Sequence, residues 1–323
     1  VNKKFKLKLG GLPHKIHIRT NDENLPILLN LHGGPGVVSR TAVNNPRYLT
    51  HFTMVGYDQR GAGGSYWGAR REELTIKQLT DDAAELTAWL CQRFGKDKLF
   101  LLGGSWGSEL GTFLAHRYPA HIAAYVGYGQ VVNGAKNETL GYNFALEAAR
   151  NAGDKEAVAQ LEQLGPPVKG VYKTGFAGLM LTRKIQMKHG GYSPKRPIGI
   201  YQSFVKPMVL SGEYSLFDLI GAARGYKFVL NTMWGECVGV DLAAECPSFD
   251  MPYFIFDGKH DHTTPASLVE EYFAAIAAPR KELIWFEHSG HSPPSDEPER
   301  FMALLREKLY EVAAEENARG VRV

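Results

Sequence analysis

The sequence predicts an α/β protein with a mostly parallel central sheet, helices on both faces and an inserted, mainly helical segment. Three observations carry this. Compact apolar runs that suit strands buried on both sides alternate with segments of helical periodicity. Several of these runs end in loops dense in glycine, serine, histidine or aspartate, and an open parallel sheet gathers its functional groups beyond the carboxyl ends of its strands. Between about residues 133 and 249 the alternation lapses for roughly 110 residues, longer than an ordinary connection, and then resumes.

Residues 4–19 read as an antiparallel pair around Gly10-Gly11-Leu12-Pro13, with Phe5, Leu7 and Leu9 on one face and Ile16 and Ile18 on one face of the return. Residues 26–31 form the first central strand and lead into His32-Gly33-Gly34-Pro35-Gly36. A second, 52–57, leads into Asp58-Gln59-Arg60-Gly61-Ala62-Gly63-Gly64-Ser65. From Thr75 to Phe94 the period becomes helical. Thr75 is placed to cap the helix, Leu79, Ala83, Leu86 and Leu90 share the buried side, and Asp81, Asp82 and Glu85 tend to the other. The strand 98–102 then stops at Ser105, which lies between Gly103 and Gly107, and a helix follows to about Tyr118, ended by Pro119. This is the G-x-S-x-G strand-to-helix elbow, in which a sharp turn pushes a serine hydroxyl out at the strand tip.

Another strand, 122–130, precedes the inserted segment, in which 138–151 and 154–164 are helix-like and Gly165-Pro166-Pro167 is a break. A basic cluster there, Arg183, Lys184, Lys188, Lys195 and Arg196, has no phosphate-loop glycines beside it and reads as a solvated face. The sheet resumes with 252–258, followed by His260-Asp261-His262, a helix from about 267 to 276, a strand 282–286 that leads to His288-Ser289-Gly290-His291, and a terminal helix from Pro298.

Composition narrows the function. With 323 residues, 44% hydrophobic and 22% charged, the chain is long enough for a large core and has the make-up of a soluble globular protein. Lys plus Arg exceeds Asp plus Glu by only 37 minus 34, a net +3, which is no nucleic-acid footprint. Cys91, Cys237 and Cys246 form no metal or disulfide pattern, and a reducing, cytoplasmic setting fits them. No run approaches the roughly 20 apolar residues of a membrane span. A metal site at His260-x-His262 has no third ligand at a helical spacing, and no nucleotide loop occurs, so no cofactor is expected.

The chemistry-bearing residues converge on acyl transfer. A serine hydroxyl needs an imidazole to accept its proton, and the imidazole needs a carboxylate to fix its tautomer. Ser105, Asp261 and His291 each follow a different strand. His291 is preferred to His288, His260 and His262 because it lies farther into its loop beside Gly290. Asp261 is preferred to Asp257, which falls within its strand and suits a turn-forming role. The oxyanion donors expected are the N–H of Trp106, next after the nucleophile, and that of Gly34, with Gly33 as the alternative.

Taken together, His32-Gly33-Gly34-Pro35-Gly36, Tyr57-Asp58-Gln59-Arg60-Gly61-x-Gly63-x-Ser65 and Gly103-Gly104-Ser105-Trp106-Gly107-Ser108 resemble the proline iminopeptidase branch of the α/β-hydrolase superfamily. The endings Gly258-x-x-Asp261-x-x-x-Pro265 and Ser289-Gly290-His291 are similar to the superfamily more generally. The resemblance implies a Ser105–Asp261–His291 triad with Gly34 and Trp106 at the oxyanion. It also implies an α/β-hydrolase core in two parts, 1–132 and 250–323, and a helical cap over 133–249, inserted between the sixth and seventh core strands. The implied activity is removal of an amino-terminal residue, often proline, from short peptides without a cofactor. Acidic cap groups would receive the substrate's α-amine. Glu213 and Glu236 are the candidates for this, with Trp234, Phe217 and Tyr214 as pocket walls. Relatives with a similar core act as esterases, lactonases or amidases, and a binding protein on the same scaffold is a further alternative. Epoxide hydrolases and haloalkane dehalogenases resemble this fold but carry Asp where Ser105 stands.

Overall fold

A computed structural model describes residues 1–38, 40–195 and 205–323. Arg196 of the basic cluster lies outside these. The core begins with strands β1 (Asn2–Leu9), β2 (Leu12–Arg19) and β3 (Ile27–Leu31), a short helix α1 (Pro46–Leu49), strand β4 (Thr53–Tyr57), helix α2 (Ile76–Phe94), strand β5 (Leu99–Gly104), helix α3 (Trp106–Arg117) and strand β6 (Ile122–Tyr128). Helices α4 (Gly134–Asn151), α5 (Lys155–Leu164), α6 (Phe176–Lys188), α7 (Lys206–Leu210), α8 (Leu216–Gly239) and α9 (Leu242–Glu245) follow before the sheet resumes. It closes with β7 (Tyr253–Gly258), α10 (Ala266–Ala275), β8 (Lys281–Phe286), α11 (Pro293–Asp296) and α12 (Pro298–Ala318). The eight strands form one sheet in the order β1-β2-β4-β3-β5-β6-β7-β8. β1, β2 and β4 pair antiparallel, and from β4 onward every pair is parallel.

The two-residue period of the strands divides the core into two layers. Ile27, Leu29, Leu99, Leu101, Tyr253 and Ile255 join Leu79, Leu86 and Leu90 of α2 on one face. Leu28, Phe100, Leu102, Phe254 and Phe256 join Phe301, Leu305 and Leu309 of α12 on the other. Each such side chain removed from water contributes roughly 1.5–3 kcal/mol, so alternate residues of one strand hold both helical layers. A third cluster, including Tyr142, Leu161, Leu179 and Leu230, belongs to the inserted helices.

α2 starts where Thr75 caps the Gln78 N–H and stops at Gly95, whose φ of 64° is left-handed. Asp82, expected on its outer face, is instead buried. Arg60 grips it with two hydrogen bonds, of 2.8 and 2.9 Å, and a charge so paired can leave water.

α8 is fastened to the core at several points. Arg40, fully buried, bonds Asp58 at 3.0 Å and Asp218 at 2.8 Å, and its guanidinium lies 4.5 Å from the centre of the Tyr214 ring. Gly221 and Gly225 let α8 approach so closely that a Cβ on either would overlap the carbonyl oxygens of Gly63 and Gly61 respectively.

Candidate active site

The elbow forms because β5 runs straight into α3. Ser105, between them, adopts φ 55° and ψ −127°, a conformation that L residues rarely take and that costs on the order of 1–3 kcal/mol. The turn is tight: a Cβ on Gly103 would overlap the Gly107 carbonyl, and one on Gly107 would overlap that of Leu31. The Ser105 N–H donates to the Tyr128 carbonyl at 3.0 Å, which sets the residue against the end of β6.

His291 reaches the same place from the loop after β8. Its ring packs against Gly129, where a Cβ would fall 2.8 Å from Cε1, so Ser105 and His291 both border the Tyr128–Gly129 turn. The His291 N–H donates to the Tyr192 carbonyl at 2.7 Å, and Nδ1 lies 2.8 Å from Asp261 Oδ2. Asp261 is almost wholly buried and well supplied with donors. Oδ1 accepts the N–H groups of Thr263 and Thr264 at 2.7 and 2.9 Å, and Oδ2 accepts the Thr264 hydroxyl at 2.7 Å.

Asp257 has other work. It accepts the N–H groups of Gly129, Gln130 and Gly258 and so ties β7 to the turn after β6. Complete burial, followed by the nearby Asp261 charge, holds its carboxyl well above the usual range. The other histidines also lie elsewhere. His288 is exposed, His260 meets the Glu287 carbonyl at 3.1 Å, and His262 stacks on Phe144 with a centroid separation of 3.9 Å.

The loop after β3 faces the elbow from the opposite side. A Cβ on Gly33 would lie 3.3 Å from that of Ser105, and Gly34, at φ 124°, has no room for one. A buried relay fixes this loop. Trp106 Nε1 donates to Gln59 Oε1 at 2.8 Å, Gln59 Nε2 donates to the His32 carbonyl at 3.0 Å, and the Gln59 N–H donates to His32 Nε2 at 3.0 Å. With Nε2 accepting, the ring proton sits on Nδ1, 3.0 Å from the Gly33 carbonyl. Burial lowers this histidine to about 4, so it is a neutral strut at physiological pH. Gln59 thus links three sequence motifs, a role that the motif alone does not disclose. The first N–H groups of α3, Trp106 among them, have no acceptor within the helix.

Ser105, Gly34 and Trp106 open on a cavity of about 90 Å³ whose other walls include Leu179, Met180, Tyr226, Leu230 and Trp234. Trp234 Nε1 is buried without a partner. Neither Glu213 nor Glu236 lies on this cavity. Glu213 pairs with Lys4 of β1 at 2.7 Å, and Glu236 accepts the Ile76 N–H at the start of α2 at 3.1 Å. Each acid is thus engaged by a group on the core. Phe217 is 70% exposed beside Trp67, and Tyr214 packs on Arg40.

The carboxylates that do line the cavity are Glu109 of α3 and Glu138 of α4. Both are buried, and each has a buried oxygen without a hydrogen-bond partner. The signal for Glu109 lies in its spacing. Four residues after Ser105, a glutamate falls on the same face of a helix that is buried from Trp106 to Ala115. Among the described residues no cluster of His, Cys, Asp or Glu is placed to hold a metal. A hydroxyl at a strained elbow, an imidazole tied to a carboxylate and a close glycine loop are the parts that acyl transfer to serine requires.

Comparison with known proteins agrees with this architecture. The family model for the alpha/beta hydrolase fold matches residues 26–165. The chain is 29% identical over 304 residues to the probable aminopeptidase YbaC of Bacillus subtilis, covering 93% of each chain. It is 22% identical over 309 residues to a proline iminopeptidase of Heyndrickxia coagulans, covering 92% of this chain and 96% of that one. The crystal structure of proline iminopeptidase from Mycobacterium smegmatis superposes with a TM-score of 0.66 at 18% identity, over 96% of this chain and 98% of the other, a likeness of fold. The chain has the α/β-hydrolase fold, and within it resembles the proline iminopeptidase branch.

Proposed function

We propose that the protein is a serine aminopeptidase that releases an amino-terminal residue, of the proline type, from short peptides through an acyl-enzyme. Ser105 attacks the carbonyl of the first residue while His291 takes the hydroxyl proton through Nε2, and Asp261 holds the Nδ1 proton and balances the charged ring. The oxyanion is received by the N–H groups of Gly34 and Trp106. Collapse expels the peptide amine, which takes the proton from His291, and water then repeats the sequence to free the amino acid and restore Ser105. Residues 133–249 act as a cap that closes the acyl pocket.

The observation that carries this reading is the placement of two buried carboxylates, Glu109 and Glu138, on the cavity that opens at Ser105. A site for neutral esters would spend burial energy on such groups for no gain. The test compares kcat/KM for a prolyl chromogenic anilide with that for its N-acetylated form. Strong preference for the free amine is expected. Equal rates, or ester cleavage with no amide cleavage, would replace the aminopeptidase with a carboxylesterase or lactonase.

A further inference from the structure

Two carboxylates face the cavity, but their surroundings differ. Glu138 Oε1 is held by the Arg183 guanidinium and accepts the Asn137 amide at 3.2 Å, so its charge is matched inside the protein. Glu109 is 2% exposed, its Oε1 has no partner, and no salt bridge involving it occurs among the described residues. If both acids were ionised, the cavity would hold two negative charges against one guanidinium, leaving one negative charge unmatched.

We infer that Glu109 is the receptor for a single positive charge on the acyl part of the substrate, and that it surrenders its own proton when that charge arrives. The inference rests on the aminopeptidase reading above, and it locates the decisive group on the nucleophile's own helix, one turn beyond Ser105, rather than on the inserted helices.

The physical reason is the cost of an isolated charge. A carboxylate taken out of water with no cation beside it is unfavourable by several kcal/mol, and the group keeps its proton instead. The groups around Glu109 reinforce this. α8 contributes Glu236 and the Cys237 thiol, α9 contributes Glu245, α4 contributes Glu138, and Arg183, the α6 cation that lines the cavity, is engaged by Glu138. Burial first, then Glu245 and Glu236, hold the Glu109 carboxyl well above the ordinary range. When an ammonium enters, the ionised form gains a partner and the balance reverses. For a prolyl residue, whose amine is secondary, the step is written E–CO₂H + R₂NH₂⁺ → E–CO₂⁻···⁺H₂NR₂ + H⁺. One proton leaves to solvent for each ammonium captured. A neutral amine would form the same pair with no release. A substrate whose acyl residue carries a second positive charge would find no second counter-ion.

The test uses Glu109→Gln in the full chain, assayed on the prolyl anilide and its N-acetyl form. Glu109→Gln is expected to lower kcat/KM for the free amine by about 100-fold or more, as for a buried charge pair that loses one partner, and so to collapse the preference for the free amine over the N-acetyl form. In parallel, L-prolinamide binding to Ser105→Ala enzyme is followed by calorimetry near pH 6.5 in buffers of different ionisation enthalpy. Close to one proton released is expected, falling to near zero in Ser105→Ala/Glu109→Gln. A Glu109→Gln enzyme that keeps the full free-amine preference would overturn the inference, as would proton release below about 0.2 in Ser105→Ala, which needs no change at Glu109. Failure of the aminopeptidase reading would show separately, in wild-type enzyme that ignores N-acetylation.

Discussion

Replacing Asp261 with Asn probes the proposed machinery with almost no change in volume. In the native site Oδ1 receives the Thr263 and Thr264 N–H groups, and Oδ2 faces the Thr264 hydroxyl and His291 Nδ1. In the variant the amide oxygen stays beneath the two N–H groups, because an NH₂ there would oppose them. The NH₂ must then occupy the position of Oδ2 and point at Nδ1. An N–H aimed at Nδ1 makes that nitrogen an acceptor and moves the ring proton to Nε2, the atom required to take the proton of Ser105. By analogy with the same exchange in other serine triads, kcat should fall about 10⁴-fold. The fold should survive: weakening these charge-assisted bonds costs about 2 kcal/mol. Against an unfolding entropy of roughly 0.7 kcal/mol/K for a chain of this length, Tm should drop about 3 °C. Steady-state rates on the prolyl anilide and a calorimetric Tm supply both numbers. A variant within tenfold of wild-type kcat would refute the tautomer reasoning.

Three further outcomes are expected. Ser105→Ala and Ser105→Gly should both abolish turnover. The glycine variant should be the more stable by about 1 kcal/mol in urea unfolding, because only glycine is at ease at φ 55°; equal stabilities would remove the argument for strain at the elbow. Gln59→Leu, which strands the buried Trp106 Nε1 donor and frees the His32 carbonyl, should lower kcat about tenfold with a smaller change in KM. An unchanged kcat would show that the relay does not position the oxyanion loop. His32, lowered to about 4 when folded against an ordinary 6.5, binds fewer protons in the native than in the unfolded state between these values. Its contribution is therefore complete above pH 6.5 and declines as pH falls toward 4. Between pH 7 and pH 5 this one group should withdraw about 2 kcal/mol of stability, and a His32→Gln variant should show a correspondingly shallower loss in denaturant titrations.

Much of the fold is legible in the sequence because burial on both faces leaves a coarse mark. The runs 26–31, 98–102 and 252–258 are nearly unbroken apolar stretches and become β3, β5 and β7. The elbow is equally plain, since Gly103 and Gly107 are the residues a sharp strand-to-helix turn must have. Pairings across long sequence distances leave no such mark. Glu213 and Glu236 stand out as acids among aromatics, but what decides their surroundings is Lys4 and the start of α2, more than 150 residues away. Asp82 looks like an outward helix residue until Arg60 arrives from the loop after β4. Glu109 is passed over for the opposite reason: the apolar positions Leu110, Phe113 and Leu114 already account for α3 as a packing helix, and its one local signal, the four-residue spacing from Ser105, does not by itself say that the first turn borders a cavity.

The attachment of α8 has a consequence for how this scaffold diversifies. Gly221 and Gly225 lie on the backbone of the Gly61–Gly63 loop, and the helix's amino-terminal aspartate shares Arg40 with Asp58. α8 therefore moves with the sheet, as a fixed wall against which α4 to α6 are set. A graft exchanging 133–249 with that of a relative would cut through this seam. It would leave Arg40 and Asp58 without Asp218, and any larger residue brought to position 221 or 225 would collide with the loop. The portable unit is the shorter stretch from α4 to α6, which supplies Glu138, Leu179, Met180 and Arg183 to the cavity, while Tyr226, Leu230 and Trp234 stay behind with the core. New specificities on this chassis should be sought by exchanging that half alone.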